Sequence, residues 1–566
     1  MKKSMHSEAN GPPEAVKKSV VVSLRKCPPW LRGTPGGWYS GTFDHPLAPS
    51  LPRRGIELEF LHSFPLPRSG GEGAQKAGEG ARTAARRLRA RLWSAGLVVV
   101  LLLLASHSLS AEQNKPIRLH PENAHYFLFR GKPTVLITSA EHYGAVLNPD
   151  FDYITYLNVL QADGLNLTRT VNGNYLESED GTIIPWAADQ NTLCPRPGRY
   201  LAPWARSSTL GYHNGGNKFD LNKWDAAYFR RLKDFVGEAG KRGIVVEFNM
   251  NYVMYGEDLG WVLNPMNVKN NINGVGKIPF DLVNTLTDPG VVAAQDALLR
   301  KTVAELNEFD NVYYEICDEP YISHADQKLT DDWQNHLVAT LLETEAGLPN
   351  KHMIAWNYAN FSAEVINPNP AVSVFNFHYA FPPTAVPLNY RWNKAIAFDE
   401  THEGTVTRDR RREAWAFILS GGAVYNNLDW SFALDDPTGS GKVEQPGGRY
   451  NGVELRKQLR TLKDFIHSLD FISMIPNDSI VQGVPPGATA YALVESGRVY
   501  AVYIMAGEKL NLAMEVGAGR YRAEWLNPRT GAIDKTEDLQ HTGGKLGLNS
   551  PRYVEDIALK LVKLSE

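Results

Sequence analysis

From Lys115 to about Asp470, short apolar runs alternate with stretches whose apolar residues recur at helical spacing, the pattern of a parallel α/β fold. Eight runs read as strands: Val135–Ser139, Leu165–Val171, Ile244–Asn249, Val312–Cys317, His352–Trp356, Val374–His378, Ala395–Phe398 and Val424–Leu428. Helical periodicity falls between most of them, over Asp220–Gly240, Pro289–Phe309, Ser323–Gly347, Arg408–Leu419 and Gly452–Leu469. Eight βα units in roughly 350 residues predict a (β/α)₈ barrel over 115–470 with long loops. The alternative is an open doubly wound sheet. It is disfavoured because no glycine-rich phosphate turn follows an early strand.

Around Ser473–Asp478 the period changes to short alternating runs, at Ala490–Val494, Val499–Ile504, Leu510–Val516, Tyr521–Trp525 and Ile557–Val562. Turns such as Glu495–Gly497, Gly517–Gly519 and Asn527–Gly531 separate them, so residues 475–566 are expected to form a small all-β sandwich. The segment between the second strand and Asp220 is long and rich in aromatic residues. Its Trp186, Trp204 and Tyr212 either floor a sugar cleft or pin the loop to the barrel.

Charge divides the chain. Residues 1–91 carry 16 Lys/Arg against 7 Asp/Glu, and the remainder carries 43 against 55. So acidic a body argues against a nucleic-acid or anionic-membrane partner. Residues 1–85 are rich in Gly, Pro, Ser and Arg without periodicity, and are expected to be disordered or not translated at all. Residues 86–111 run basic, apolar, then small, the order of a secretory signal peptide. A secreted or periplasmic protein is therefore expected, with translation starting near Arg86–Leu92. The apolar run Trp93–Ala105 is shorter than the ~20 residues of a spanning helix, so membrane attachment is expected only if this segment stays uncleaved. Cys27, Cys194 and Cys317 show no metal-ligand spacing, and a Cys194–Cys317 disulfide stays open.

The chemistry centres on Asn311-Val-Tyr-Tyr-Glu-Ile-Cys-Asp-Glu-Pro320. Pro320 cannot donate to a sheet ladder, which puts Asp318 and Glu319 on the C-terminal lip of the fourth strand. Glu400 ends the seventh, in Lys394-Ala-Ile-Ala-Phe-Asp-Glu400. Two carboxyls on two strand ends are the apparatus for cleaving a glycosidic bond, one giving a proton and one attacking or activating water. Asp318 beside Glu319 is expected to raise its pKa, making Glu319 the acid/base and Glu400 the nucleophile. Neither metal nor organic cofactor is required by this chemistry. Glu315 is expected lower in the barrel as a stabilising group, Cys317 as a small filler, and Asp399 on the opposite strand face from Glu400. Glu403 competes for the nucleophile role but lies past the strand.

These motifs resemble clan A of the glycoside hydrolases, whose (β/α)₈ barrels carry glutamates after the fourth and seventh strands. Cys317–Pro320 is similar to that clan's Asn-Glu-Pro segment, with Asp318 where the clan has Asn, and Asp399–Thr401 is similar to its nucleophile strand. The third strand departs too, Glu247-Phe-Asn249 lacking the His of many members. The C-terminal domain resembles a β-sandwich that carries a collagen-binding label in such enzymes, which is no evidence for collagen. The resemblance implies retaining hydrolysis of a poly- or oligosaccharide. It also implies that Arg169 orients the nucleophile, that His378 and Tyr379 line the site, and that Trp430 underlies the sugar. His142, Tyr143 and Asn249 are weaker substrate-binding candidates. An inactive carbohydrate-binding scaffold is the alternative, and Asp318 is the feature that favours it.

Overall fold

The computed structural model describes residues 115–177, 191–255, 258–401, 406–445 and 448–565. Eight parallel strands form one sheet: β1 (Leu136–Ala140), β2 (Leu167–Val171), β3 (Val245–Asn249), β4 (Val312–Glu315), β5 (Ile354–Asn360), β6 (Val372–His378), β7 (Ala395–Glu400) and β8 (Val424–Leu428). They pair in the order β1-β8-β7-β6-β5-β4-β3-β2. At the seam, the Asn166 amide adds to two long backbone bonds, Asn166 N to Ile137 O and Val171 N to Tyr143 O, both 3.4 Å: its Oδ1 accepts from Ile137 N at 2.8 Å and its Nδ2 donates to Val135 O at 2.9 Å.

Helices α1 (Tyr153–Ala162), α2 (Ala226–Lys241), α3 (Pro289–Leu306), α4 (Gln327–Ala346), α5 (Thr407–Leu419) and α6 (Gly452–His467) surround the sheet. Helix α2 shows why: Tyr228, Phe229, Leu232, Phe235, Val236 and Ala239 make one buried stripe, about 1.5–3 kcal/mol for each large side chain. It begins later than the periodicity predicts. Asp225 caps it by accepting from Ala227 N at 2.7 Å, while Asn217–Trp224 is a strand paired with Trp204–Leu210. Trp204 and Tyr212 are buried, and the Tyr212 hydroxyl donates to Leu263 O, so both pin the loop; Trp186 lies outside the described residues.

The strands of the C-terminal domain are β9 (Ile475–Pro476), β10 (Val481–Gly483), β11 (Thr489–Glu495), β12 (Val499–Met505), β13 (Asn511–Val516), β14 (Gly519–Leu526), β15 (Ile533–His541), β16 (Gly544–Asn549) and β17 (Asp556–Lys563). A six-stranded sheet, β9-β11-β12-β17-β14-β15, lies with a three-stranded sheet, β10-β13-β16, around a core that includes Trp525, Leu512, Val502 and Leu559. Helix α5 joins this sandwich to the barrel. Buried Arg411 makes two 2.9 Å bonds to Asp556, and Trp415 stacks on Tyr503 at 5.4 Å. Cys194 and Cys317 form no disulfide with each other. No helix among the described residues is long and apolar enough to cross a membrane.

Candidate active site

Strand β4 stops at Glu315, and the chain continues inside the barrel mouth as Ile316-Cys317-Asp318-Glu319. Asp318 N donates to Asn251 O at 3.1 Å, and Glu319 N donates to Asn357 Oδ1 at 3.1 Å. Glu319 takes a left-handed backbone (φ 45°), as do Tyr143 (64°) and Tyr379 (53°). Such conformations cost a non-glycine residue of order 1–3 kcal/mol, so three strain sites converge here. Glu400 closes β7, with its carbonyl accepting from Tyr379 N at 2.8 Å.

Fully buried Arg169 on β2 is the hub. Its Nη1 donates to Glu400 Oε2 at 3.2 Å and its Nη2 to Glu315 Oε2 at 2.5 Å and Asp318 Oδ1 at 2.6 Å. Tyr143 donates to Glu400 Oε2 at 2.6 Å, and Tyr379 to Glu400 Oε1 at 2.9 Å. Arg169, Asp318, His378, Tyr379 and Tyr143 are thus brought together with Glu319 and Glu400.

His378 Nδ1 lies 2.8 Å from Glu319 Oε1 and 3.5 Å from Glu400 Oε2. Its Nε2 lies 3.5 Å from Asp399 Oδ1 and 3.7 Å from Asp318 Oδ1. Burial disfavours the imidazolium, but the charges of Glu400, Asp399 and Glu319 outweigh it and hold the His378 pKa well above the usual range. The glutamates differ from the expected pattern. Burial raises Glu319, yet hydrogen bonds from His378, Tyr255 and Tyr321 prevail and hold it below the ordinary carboxyl value. Glu400 is pushed up to about 7 by burial and by the Asp318 and Glu319 charges, against the pull of His378 and Arg169. The raised carboxyl is therefore Glu400 and the lowered one Glu319, the reverse of the expected order.

Below this mouth lies an acidic layer. Glu247, Glu315 and Asp399 are fully buried, with oxygens within 4.8 Å of one another. Asn376 Nδ2 lies 2.7, 2.7 and 2.8 Å from these three carboxyls. Two amide hydrogens cannot serve three carboxylate oxygens at once. Burial holds Glu315 up to about 7 and Asp399 well above the usual range. Cation-like spacing recurs among Asp318, His378 and Glu400, but Arg169 already supplies the positive charge to both groups. Glu315 is low in the barrel, as its distance from the strand end predicts.

Asp399 corrects an expectation. It faces inward with Glu400, not away from it, because the β6–β7 register shifts: Phe377 pairs with Phe398 but His378 with Glu400. That irregularity turns two consecutive side chains to the interior.

Trp430 and His142 sit at the rim with ring centroids 4.1 Å apart; the indole is 1 % exposed, and His142 lies against it. Asn249 is buried on β3, and neither amide atom has a hydrogen-bond partner among the described residues. Glu403 lies outside the described residues. Tyr255, Tyr321, Asn357, Asn376 and Glu141 escaped the sequence reading. Tyr255 donates to Glu319 Oε2 at 2.5 Å and lies 3.1 Å from Asp318 Oδ2; Tyr321 lies 3.3 Å from Glu319 Oε1. Glu141 accepts from Thr192 Oγ1 at 2.7 Å and Gly144 N at 3.2 Å, fixing the turn that carries Tyr143. Any Cβ at Gly144 would meet Thr192 O at 2.1 Å. Tyr255 and Tyr321 are signalled only by a Tyr past a strand end, and Asn357 and Asn376 only by an Asn within a strand, cues too common to single them out.

No protein-family model and no curated protein matches the sequence. Among solved structures, one described as a glycoside hydrolase superposes with a TM-score of 0.55 at 14% identity, over 80% of this chain and 98% of that chain. A glycoside hydrolase family 5 structure from Bacteroides vulgatus superposes with a TM-score of 0.53 at 14% identity, over 80% of this chain and 94% of that chain. The chain therefore has the fold of these glycoside hydrolase structures, a (β/α)₈ barrel followed by a β-sandwich.

Proposed function

We propose that the protein is a glycoside hydrolase that cleaves a poly- or oligosaccharide with retention of configuration. The observation that carries this reading is the shared contact of Glu319 and Glu400 with one imidazole nitrogen, at 2.8 and 3.5 Å. Their nearest oxygens can be no farther apart than the sum of those distances. That bound on the nearest oxygens leaves room for the ~5–5.5 Å between the carboxyl groups of retaining pairs. Glu400, held by Arg169, Tyr143 and Tyr379, attacks the anomeric carbon. Glu319 protonates the leaving oxygen and later takes a proton from water. The two barrel superpositions support the same reaction class.

The test is covalent trapping with activated 2-deoxy-2-fluoro glycosides and mass spectrometry of the digested protein. A glycosyl adduct on the peptide containing Glu400 is expected; turnover without an adduct, giving inverted product, contradicts the reading. A second reading, carbohydrate binding without turnover, is favoured by the raised Glu400 and lowered Glu319 pKa, the reverse of the order a nucleophile and an acid call for. Calorimetric binding of a saccharide by a protein that never hydrolyses it would establish that reading. Export through residues 86–111 belongs to the same proposal, and N-terminal sequencing of the mature protein tests it: a start at or before Ala85 contradicts export by this segment.

A further inference from the structure

We infer that Phe361 is the platform for the leaving sugar, so that the substrate is a saccharide whose departing unit is itself a sugar ring and not a small aglycone. The inference rests on the glycoside hydrolase reading and deepens it by assigning the leaving-group side of the site. Phe361 follows β5 directly, and two features set it apart. Its ring stands 57 % exposed beside two buried carboxyls. Its backbone is left-handed (φ 66°), a conformation that a bulky aromatic residue adopts only under constraint. Neither feature serves the fold, and strain of this kind gathers where a side chain is held for a ligand.

The position of Phe361 is tied to both glutamates. Its N–H donates to His378 O at 2.7 Å, which fastens the turn to the end of β6. Its ring centroid lies 6.2 Å from that of Tyr379, whose hydroxyl holds Glu400 Oε1. The preceding residue, Asn360, accepts from the Tyr321 hydroxyl at 2.6 Å, and Tyr321 lies 3.3 Å from Glu319 Oε1. Strand order assigns the side. Glu319 follows β4 and Glu400 ends β7, so a line between them leaves β5 and β6 on one side of the mouth and β8, β1, β2 and β3 on the other. Trp430, after β8, and His142 and Tyr143, after β1, are each at least nine-tenths buried. Across the line, Phe361, Asn360, Tyr321 and Tyr379 all keep accessible surface. Among the described residues the mouth is therefore open on the β5–β6 side, and the unit that departs leaves through it. An aromatic face there packs against the C–H face of a sugar ring, while the Tyr321 hydroxyl and the Asn360 amide offer hydrogen bonds to its hydroxyls.

The signature of such a platform is dependence on what leaves. Full-length wild type, Phe361→Gly and Phe361→Tyr are compared on 1,4-linked oligosaccharides of glucose, mannose, galactose and xylose, and on the α- and β-fluorides of the same sugars. Fluoride departs as a single ion and puts no ring on Phe361. Glycine suits φ 66°, so Phe361→Gly removes the ring without a backbone penalty. The ratio of kcat/KM on the oligosaccharide to kcat/KM on the fluoride is expected to fall about tenfold in Phe361→Gly. Phe361→Tyr keeps an aromatic face and is expected to restore that ratio. An unchanged ratio overturns the inference, because a structural role lowers both rates alike; a wild type that cleaves the fluorides alone overturns it too. A wild type that cleaves none of these compounds counts against the glycoside hydrolase reading, and calorimetry with the same oligosaccharides then decides the role of Phe361. Binding about tenfold weaker in Phe361→Gly supports the platform. Equal binding by the two proteins, or none by the wild type, overturns it.

Discussion

The Tyr143 hydroxyl, carried by the turn after β1, donates to Glu400 Oε2 at 2.6 Å across the barrel mouth. A hydrogen bond to a charged acceptor contributes about 1.5–3 kcal/mol. Tyr143→Phe should therefore lower kcat/KM roughly ten- to hundredfold. It should also move the limb of the rate profile near pH 7 to higher pH, because a donor to the ionised form of Glu400 has gone. A pH–rate profile checks both effects, and an unshifted limb would separate Tyr143 from the nucleophile.

Asp318 and Glu400 share the Arg169 guanidinium, and the Asp318 charge helps hold Glu400 at about 7. Attack needs Glu400 ionised and Glu319 protonated, and with the Glu319 pKa below that of Glu400 the rate should fall as pH rises through about 7. Asp318→Asn keeps the shape and removes one negative charge, so the limb near pH 7 should move to lower pH. Profiles of the two proteins on one substrate make the comparison; a limb that moves upward refutes the electrostatic account.

Tyr255 donates to the Glu319 carboxylate at 2.5 Å and is one of the groups that keep it ionised. Tyr255→Phe should raise the Glu319 pKa. Glu319 has the lower pKa of the pair, so the acidic limb should move to higher pH. Loss of that limb's dependence on the hydroxyl would leave Tyr255 a substrate contact only.

At the domain junction, Arg411 and Asp556 are both buried and bonded twice at 2.9 Å. Arg411→Met strands the Asp556 charge, at a cost of about 3–5 kcal/mol. Chemical denaturation should show that loss, and Arg411→Met combined with Asp556→Leu should recover most of it. Equal destabilisation in the single and double variants would mean that the pair contributes only through packing.

The eight barrel strands were legible because each is an apolar run buried on both faces, and Glu319 and Glu400 because both end such runs. What escaped has physical causes. Asp399 faces inward through a register shift, which depends on how β6 meets β7 and leaves no mark on either sequence. Asn357 was missed because β5 extends to Asn360 through polar residues. Strands β15 and β16 were missed because Ile533–His541 is largely polar and Gly544–Asn549 contains two glycines, so neither shows apolar alternation. The Glu319 pKa was misjudged from its neighbour Asp318 because His378 and Tyr255 reach it from elements about 60 residues away in sequence. Local sequence carries the strand ends, and the fold decides their charge.

The central claim is that Glu400 is the nucleophile of a glycoside hydrolase. The most direct measurement is sugar release from a panel of plant, algal and animal polysaccharides by wild type and Glu400→Ala side by side. Release by the wild type that falls at least a thousandfold in the variant is the predicted result. Release that survives Glu400→Ala would contradict the account.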